Sequence, residues 1–154
     1  MRTAATLLFI LFDDSIDCTR PRRHREHRHT MIIGLDHVQL AIPVGQEDLA
    51  RSFYCDVLGL IEEAKPPHLA KRGGAWFRGG SLRLHLGVDP DFHPNKKAHP
   101  AFLVSGLAEL VERCVAAGFP PMTDEPLDGF DRVYVFDPFG NRLELLEPRH
   151  HESG

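Results

Sequence analysis

The chain repeats itself. Shifted by 62 residues, His37 falls on His99, Leu40 on Phe102 and Ile42 on Val104; shifted by 59, Arg83-Leu84-His85-Leu86 falls on Arg142-Leu143-Glu144-Leu145. A small change in loop length reconciles the two offsets. A duplication of this size constrains the fold more than composition does. Each copy has to be one supersecondary unit, and the two units have to bury their apolar faces together.

The periodicities give the content of each copy. From Ile32 to Pro43 the residues alternate, with Asp36, Val38, Leu40 and Ile42 on one face and Leu35, His37, Gln39 and Ala41 on the other, so a strand is predicted that Pro43 ends. A helix is predicted over about 47–58: Leu49, Phe53 and Val57 form an apolar row, acidic Glu47 and Asp48 suit its first turn, and Gly59 suits its exit. Three strands follow at about 60–65, 74–78 and 81–87, separated by Pro66-Pro67 and Gly79-Gly80. Trp76 and Phe77 face opposite ways, one to the core and the other to a cavity wall. The second copy repeats the order: a strand from His99 to Ser105, a helix from about Leu107 to Ala117 stopped by Gly118, then strands near 121–125, 131–136 and 142–147. Asp137-Pro138-Phe139-Gly140 is a tight-turn sequence between the last two. The fold class is therefore α+β, built from two βαβββ modules over 32–88 and 98–148 in a single domain spanning 31–148.

The flanks differ from this core. Residues 1–30 carry six Arg, including Arg20-Pro21-Arg22-Arg23-His24-Arg25, without strand or helix periodicity. They read as a disordered tail, or as a start assigned upstream of Met31. The apolar run Thr3–Phe12 is too short to span a bilayer, and Asp13-Asp14 follows it where a leader would carry small residues. Residues 149–154 form a short C-terminal tail. The segment Gly87–Ala98 is either a linker or a flap that carries Phe92 or Lys96 toward a cavity. A net charge of −4 gives no electrostatic case for nucleic acid as a partner, and no membrane partner is expected. Three scattered cysteines make no disulfide framework, which favours a reducing, cytoplasmic setting.

The duplication also aligns chemistry. His37 and His99 occupy equivalent first strands, and His85 and Glu144 equivalent fourth strands. Three imidazoles and a carboxylate suit a divalent ion such as Zn²⁺, Ni²⁺, Fe²⁺, Co²⁺ or Mn²⁺, if the sheets curve around a shared cavity. His85 and Glu144 are the candidate catalytic groups. Arg83 and Arg142 share the inner face and suit a carboxylate or phosphonate of a substrate, or else pair with rim acids. Arg132 and Tyr134 share one face of the seventh strand, and Tyr134 could donate to an oxyanion. His93, His150 and His151 read as solvated, and His68, in a loop, reads as a surface residue or one at the border of the cavity.

Several of these segments resemble one family. Gly34-Leu35-Asp36-His37-Val38, Phe53-Tyr54 with Leu58-Gly59-Leu60, and Asp137-Pro138-Phe139-Gly140-Asn141-Arg142-Leu143-Glu144-Leu145 are similar to the vicinal-oxygen-chelate, or glyoxalase-like, superfamily over about residues 32–148. The resemblance implies an open, cup-like mixed sheet with helices on its outer face. It implies a divalent metal held at His37, His99 and Glu144 that chelates a small oxygen-rich substrate, in lyase, isomerase or dioxygenase chemistry. Similar glyoxalases place a glutamate at the fourth ligand position, where this chain offers His85 or Arg83; that departure weighs against glutathione-dependent glyoxalase activity. Similar single-domain proteins pair, so a homodimer is expected. The alternative within the same resemblance is a metal-free small-molecule binding protein of the bleomycin-resistance type.

Overall fold

A computed structural model describes residues 31–149, and the body considered below begins at Gly34. The expectations for residues 1–30 and 150–154 fall outside the described residues.

The first module runs β1 (Val38–Ile42), α1 (Glu47–Arg51, continued with a wider pitch over Ser52–Val57), β2 (Ile61–Glu63), α2 (Pro67–Ala70), β3 (Trp76–Gly79) and β4 (Leu82–Val88). The second runs β5 (Ala101–Leu103), α3 (Leu107–Ala116), β6 (Phe130–Phe136) and β7 (Arg142–Pro148). The sheets have the orders β1-β4-β3-β2 and β5-β7-β6. In each, the first strand lies parallel to the last and the hairpin strands antiparallel, so both sheets are mixed and open.

Three local features depart from the periodicity reading. The strand predicted over 121–125 is reduced to a single bridge, Met122 with Tyr134; Pro120 and Pro121 cannot donate ladder hydrogen bonds ahead of it. The first strand starts at Val38 rather than Ile32, because Val38 pairs with Leu84 and β4 begins only two residues earlier. Pro66-Pro67, read as a separator, opens the short helix α2, where Pro67 sits in the first turn and its missing N–H is harmless.

Past Arg51 the α1 ladder widens to five-residue spacing, as in Leu58 N–H to the Phe53 carbonyl at 3.0 Å. The wide turn carries Phe53, Tyr54 and Val57 into the core. One hydrophobic cluster then joins both modules: Leu84 and Leu86 of β4, Phe77 of β3, Leu143 and Leu145 of β7, Val135 of β6, and the inner faces of α1 and α3. Strand alternation therefore sends Arg83 and His85, and Arg142 and Glu144, to the sheet faces away from this core. Each module has its helix on the side opposite the candidate site residues, as predicted.

Candidate functional site

The four candidate ligands form two pairs, one per module. In the first module, the hairpin register places Trp76 opposite His85, and the parallel pairing places Gln39 opposite it on the other side. The rings of Trp76 and His85 stack with centroids 4.1 Å apart and planes 6° apart. His37 stacks on the other face of His85, again at 4.1 Å, tilted by 23°. His37 Nδ1 donates to Asp36 Oδ1 at 2.8 Å. That bond leaves Nε2 as the nitrogen with a free lone pair. Asp36 is held below its ordinary value, chiefly by this hydrogen bond. Burial, and secondly the neighbouring His37, hold His85 below its ordinary value. Arg83 is more than half exposed and lies 3.9 Å from Asp36. Arg78, directly across the hairpin from Arg83, reaches Glu63 at 3.5 Å.

The second module holds a tighter cluster. His99 Nδ1 donates to the Lys97 carbonyl at 2.8 Å, and Nε2 faces Glu144 Oε2 at 3.2 Å. Arg132 Nη1 donates to Glu144 Oε1 at 2.7 Å and to the Tyr134 hydroxyl at 2.9 Å, while Nε and Nη2 donate to the Glu125 carbonyl. The Arg142 guanidinium lies 3.6 Å from the centre of the Tyr134 ring, and Asp124 is 3.6 Å from that guanidinium. Glu144 is nearly buried, with a side chain 9% exposed. Burial pushes its carboxyl up, but its contacts with Arg132, His99 and Tyr134 outweigh this and hold it below its ordinary value.

This geometry bears on a metal. With Nδ1 committed to a carbonyl, a neutral His99 turns an acceptor nitrogen toward an acceptor oxygen, so a proton or a cation has to lie between them. Ligands bound at about 2.0–2.2 Å stand roughly 3.0–3.5 Å apart at adjacent positions of a coordination sphere, and the 3.2 Å separation falls in that range. His99 and Glu144 therefore fit an ion. His37 fits as a single ligand through Nε2. His37 and His85 do not fit as a chelating pair in this pose, because nearly parallel rings aim their in-plane lone pairs side by side. Among the described residues, no group of three or more His, Cys, Asp or Glu converges in one chain. The structure thus brings His99, Glu144, Arg132, Tyr134 and Arg142 together, and separately His37, His85 and Arg83.

Sequence reasoning misses Asp36 and Lys97 and does not choose between Trp76 and Phe77. Strict alternation puts Asp36 on the face of Val38, Leu40 and Ile42, away from His37, but Asp36 precedes the strand and turns toward His37. Of the two, Phe77 is the core member, fully buried, and Trp76 stands on the site face opposite His85. The two-residue turn Gly80-Ser81 fixes the pairing of Trp76 with His85, so that contact was readable once the turn was placed. Lys97 acts through its carbonyl, which carries no sequence signal.

The pattern that defines the glyoxalase/bleomycin resistance protein/dioxygenase superfamily matches residues 34–145. The chain belongs to that superfamily. Within the glyoxalase superfamily, a solved structure of a glyoxalase family protein from Bacillus anthracis is 44% identical, with a TM-score of 0.74 over 78% of this chain and 98% of that one. The fosfomycin resistance protein FosX from Listeria monocytogenes has a similar fold at 20% identity, with a TM-score of 0.60 over 79% of this chain and 96% of that one. So does TnmS3, an antibiotic binding protein from Streptomyces sp. CB03234, at 18% identity, with a TM-score of 0.61 over 79% and 100%. No functionally curated protein matches the sequence. Among the described residues, no helix is long and apolar enough to cross a membrane.

Proposed function

We propose that the chain is a divalent-metal-dependent enzyme of the glyoxalase superfamily acting on a small, oxygen-rich, anionic substrate. The observation that carries this reading is the His99–Glu144 pair: two acceptors 3.2 Å apart, with the outer nitrogen of His99 tied to a carbonyl. Glu144 presents Oε2 alone, because Arg132 holds Oε1. His37, with its outer nitrogen on Asp36, is the third ligand. It comes from the first module of a second copy, which makes the working unit a homodimer. The strands β1 and β5 support such pairing: among the described residues each is an edge strand with one partner, and Leu35 and Leu103 beside a groove of about 850 Å³ are largely exposed. When bound, the ion supplies Lewis acidity toward adjacent substrate oxygens. Arg83 and Arg142 meet the substrate's anionic group. His85 faces the substrate as acid or base, and Tyr134 donates toward developing negative charge.

The test is metal uptake by the folded protein, with residues 1–30 removed to eliminate their histidines. The parent should bind about one Zn²⁺ or Ni²⁺ per chain. His99→Ala and Glu144→Gln should lose uptake with folding retained, and Arg132→Gln should weaken it about 10- to 100-fold. A parent that takes up no ion would overturn the reading. It would favour the second one, a metal-free small-molecule binding protein, for which the aromatic column Trp76–His85–His37 and the Arg132-neutralised Glu144 are the supporting observations.

A further inference from the structure

His37 and His99 are each fixed by a hydrogen bond on Nδ1, the first to a carboxylate and the second to a carbonyl. His85 has no ring hydrogen bond among the described residues. What holds it instead is stacking on both faces: the Trp76 indole on one side, almost parallel at 6°, and His37 on the other. The two contacts are not equivalent. Trp76 is directly opposite His85 in a tight hairpin, with fully buried Phe77 next to it anchoring β3 in the core. His37 lies ahead of β1 with a side chain 40% exposed. The indole is thus the fixed wall and the His37 ring the movable one.

We infer that Trp76 is a positioning residue for His85: its indole takes the place of the outer hydrogen bond that the other two histidines have, and holds the His85 ring parallel to His37. Parallel imidazoles 4.1 Å apart cannot both point a lone pair at an ion about 2.0–2.1 Å from each nitrogen. The clamp therefore keeps His85 off an ion bound by His37 and leaves both its nitrogens without a hydrogen bond among the described residues. An indole also favours positive charge against its face, so whatever cation or donor reaches His85 is felt by Trp76. Trp76 is the single tryptophan of the chain, which makes it an optical probe of this one ring. The part concerning the ion rests on the metal reading above; the clamp itself does not.

The experiment has two arms on the full chain, with far-UV circular dichroism as the folding control. Without metal, His85→Ala should raise Trp76 emission, and ring-selective proton–nitrogen spectra should place His85 upfield. Trp76→Leu should move the His85 ring signals downfield while Trp76→Phe keeps them in place. With Zn²⁺ added, the ring nitrogens of His37 and His99 should shift while those of His85 stay in the parent and move in Trp76→Leu, where the ring is free to turn. His85 signals that do not respond to Trp76→Leu, or that shift with Zn²⁺ in the parent as much as those of His37, would overturn the inference. If no Zn²⁺ binds, the metal reading falls, and the metal-free arm still decides whether Trp76 holds His85.

Discussion

Tyr54 and Asp137 meet across the module boundary. The Tyr54 hydroxyl donates to Asp137 Oδ2 at 2.8 Å, and Asp137 also accepts from the Asn141 side chain and from the Phe139 and Asn141 amides. The same Asn141 amide group donates to the Ala41 carbonyl at the end of β1. Burial holds the Asp137 carboxyl above its ordinary 3.8, against the four hydrogen bonds that pull it down. Its contribution to stability is therefore complete below 3.8 and is lost as pH rises through the raised folded value. Tyr54→Phe removes one donor and raises that folded value further. The variant should lose roughly 1–3 kcal/mol in urea unfolding, with the deficit growing as pH rises across this window. A deficit independent of pH would mean that Asp137 does not ionise in the fold. The sequence offers Phe53 as an apolar-row residue beside Tyr54 and Asp137 as a turn residue. Each was legible alone, but the bond between residues 83 apart in sequence has no local signature.

Elements were readable where one period ran unbroken. β4, α3, β6 and β7 fall within a residue or so of the predicted limits, because their apolar stripes face one core and a glycine stands within two residues of one end of each. The widened turn of α1 was not legible: a change of pitch keeps much the same residues inside and leaves the pattern nearly unaltered. Gly74 gives the element scale its sharpest test. It enters β3 at φ +75°, its N–H bonds to Glu47, and a Cβ there would stand 2.0 Å from the Leu86 carbonyl. Gly74→Ala should destabilise by roughly 3–5 kcal/mol. Gly80→Ala, also at positive φ but with open space around it, should cost about 1–2 kcal/mol. Urea midpoints for the two variants check this, and equal losses would contradict the close approach at Gly74.

At the scale of the molecule, the duplication placed four ligand-type residues at matching positions but not in one place. Alternation tells which face a side chain takes, not whether two faces meet, so the sequence reading could not separate one four-ligand site from two half-sites on different sheets. The proposed assembly makes a specific claim about subunits. His37→Ala and Glu144→Ala should each abolish metal binding alone. In a purified heterodimer of the two variants, one site carries both lesions and the other carries neither, so half of the parental uptake should return. Uptake that stays at zero would place both half-sites of each centre within one chain.

The interior that the two modules share has a consequence of its own. Leu84 and Leu86 from one repeat and Leu143 and Leu145 from the other belong to the same cluster, with α1 and α3 in contact. A peptide ending in the 89–98 segment would carry half an interior and nothing to close it. The unit that was duplicated and the unit that melts are therefore different sizes, and a volume change in one repeat has to be answered by the other before the chain regains a filled interior.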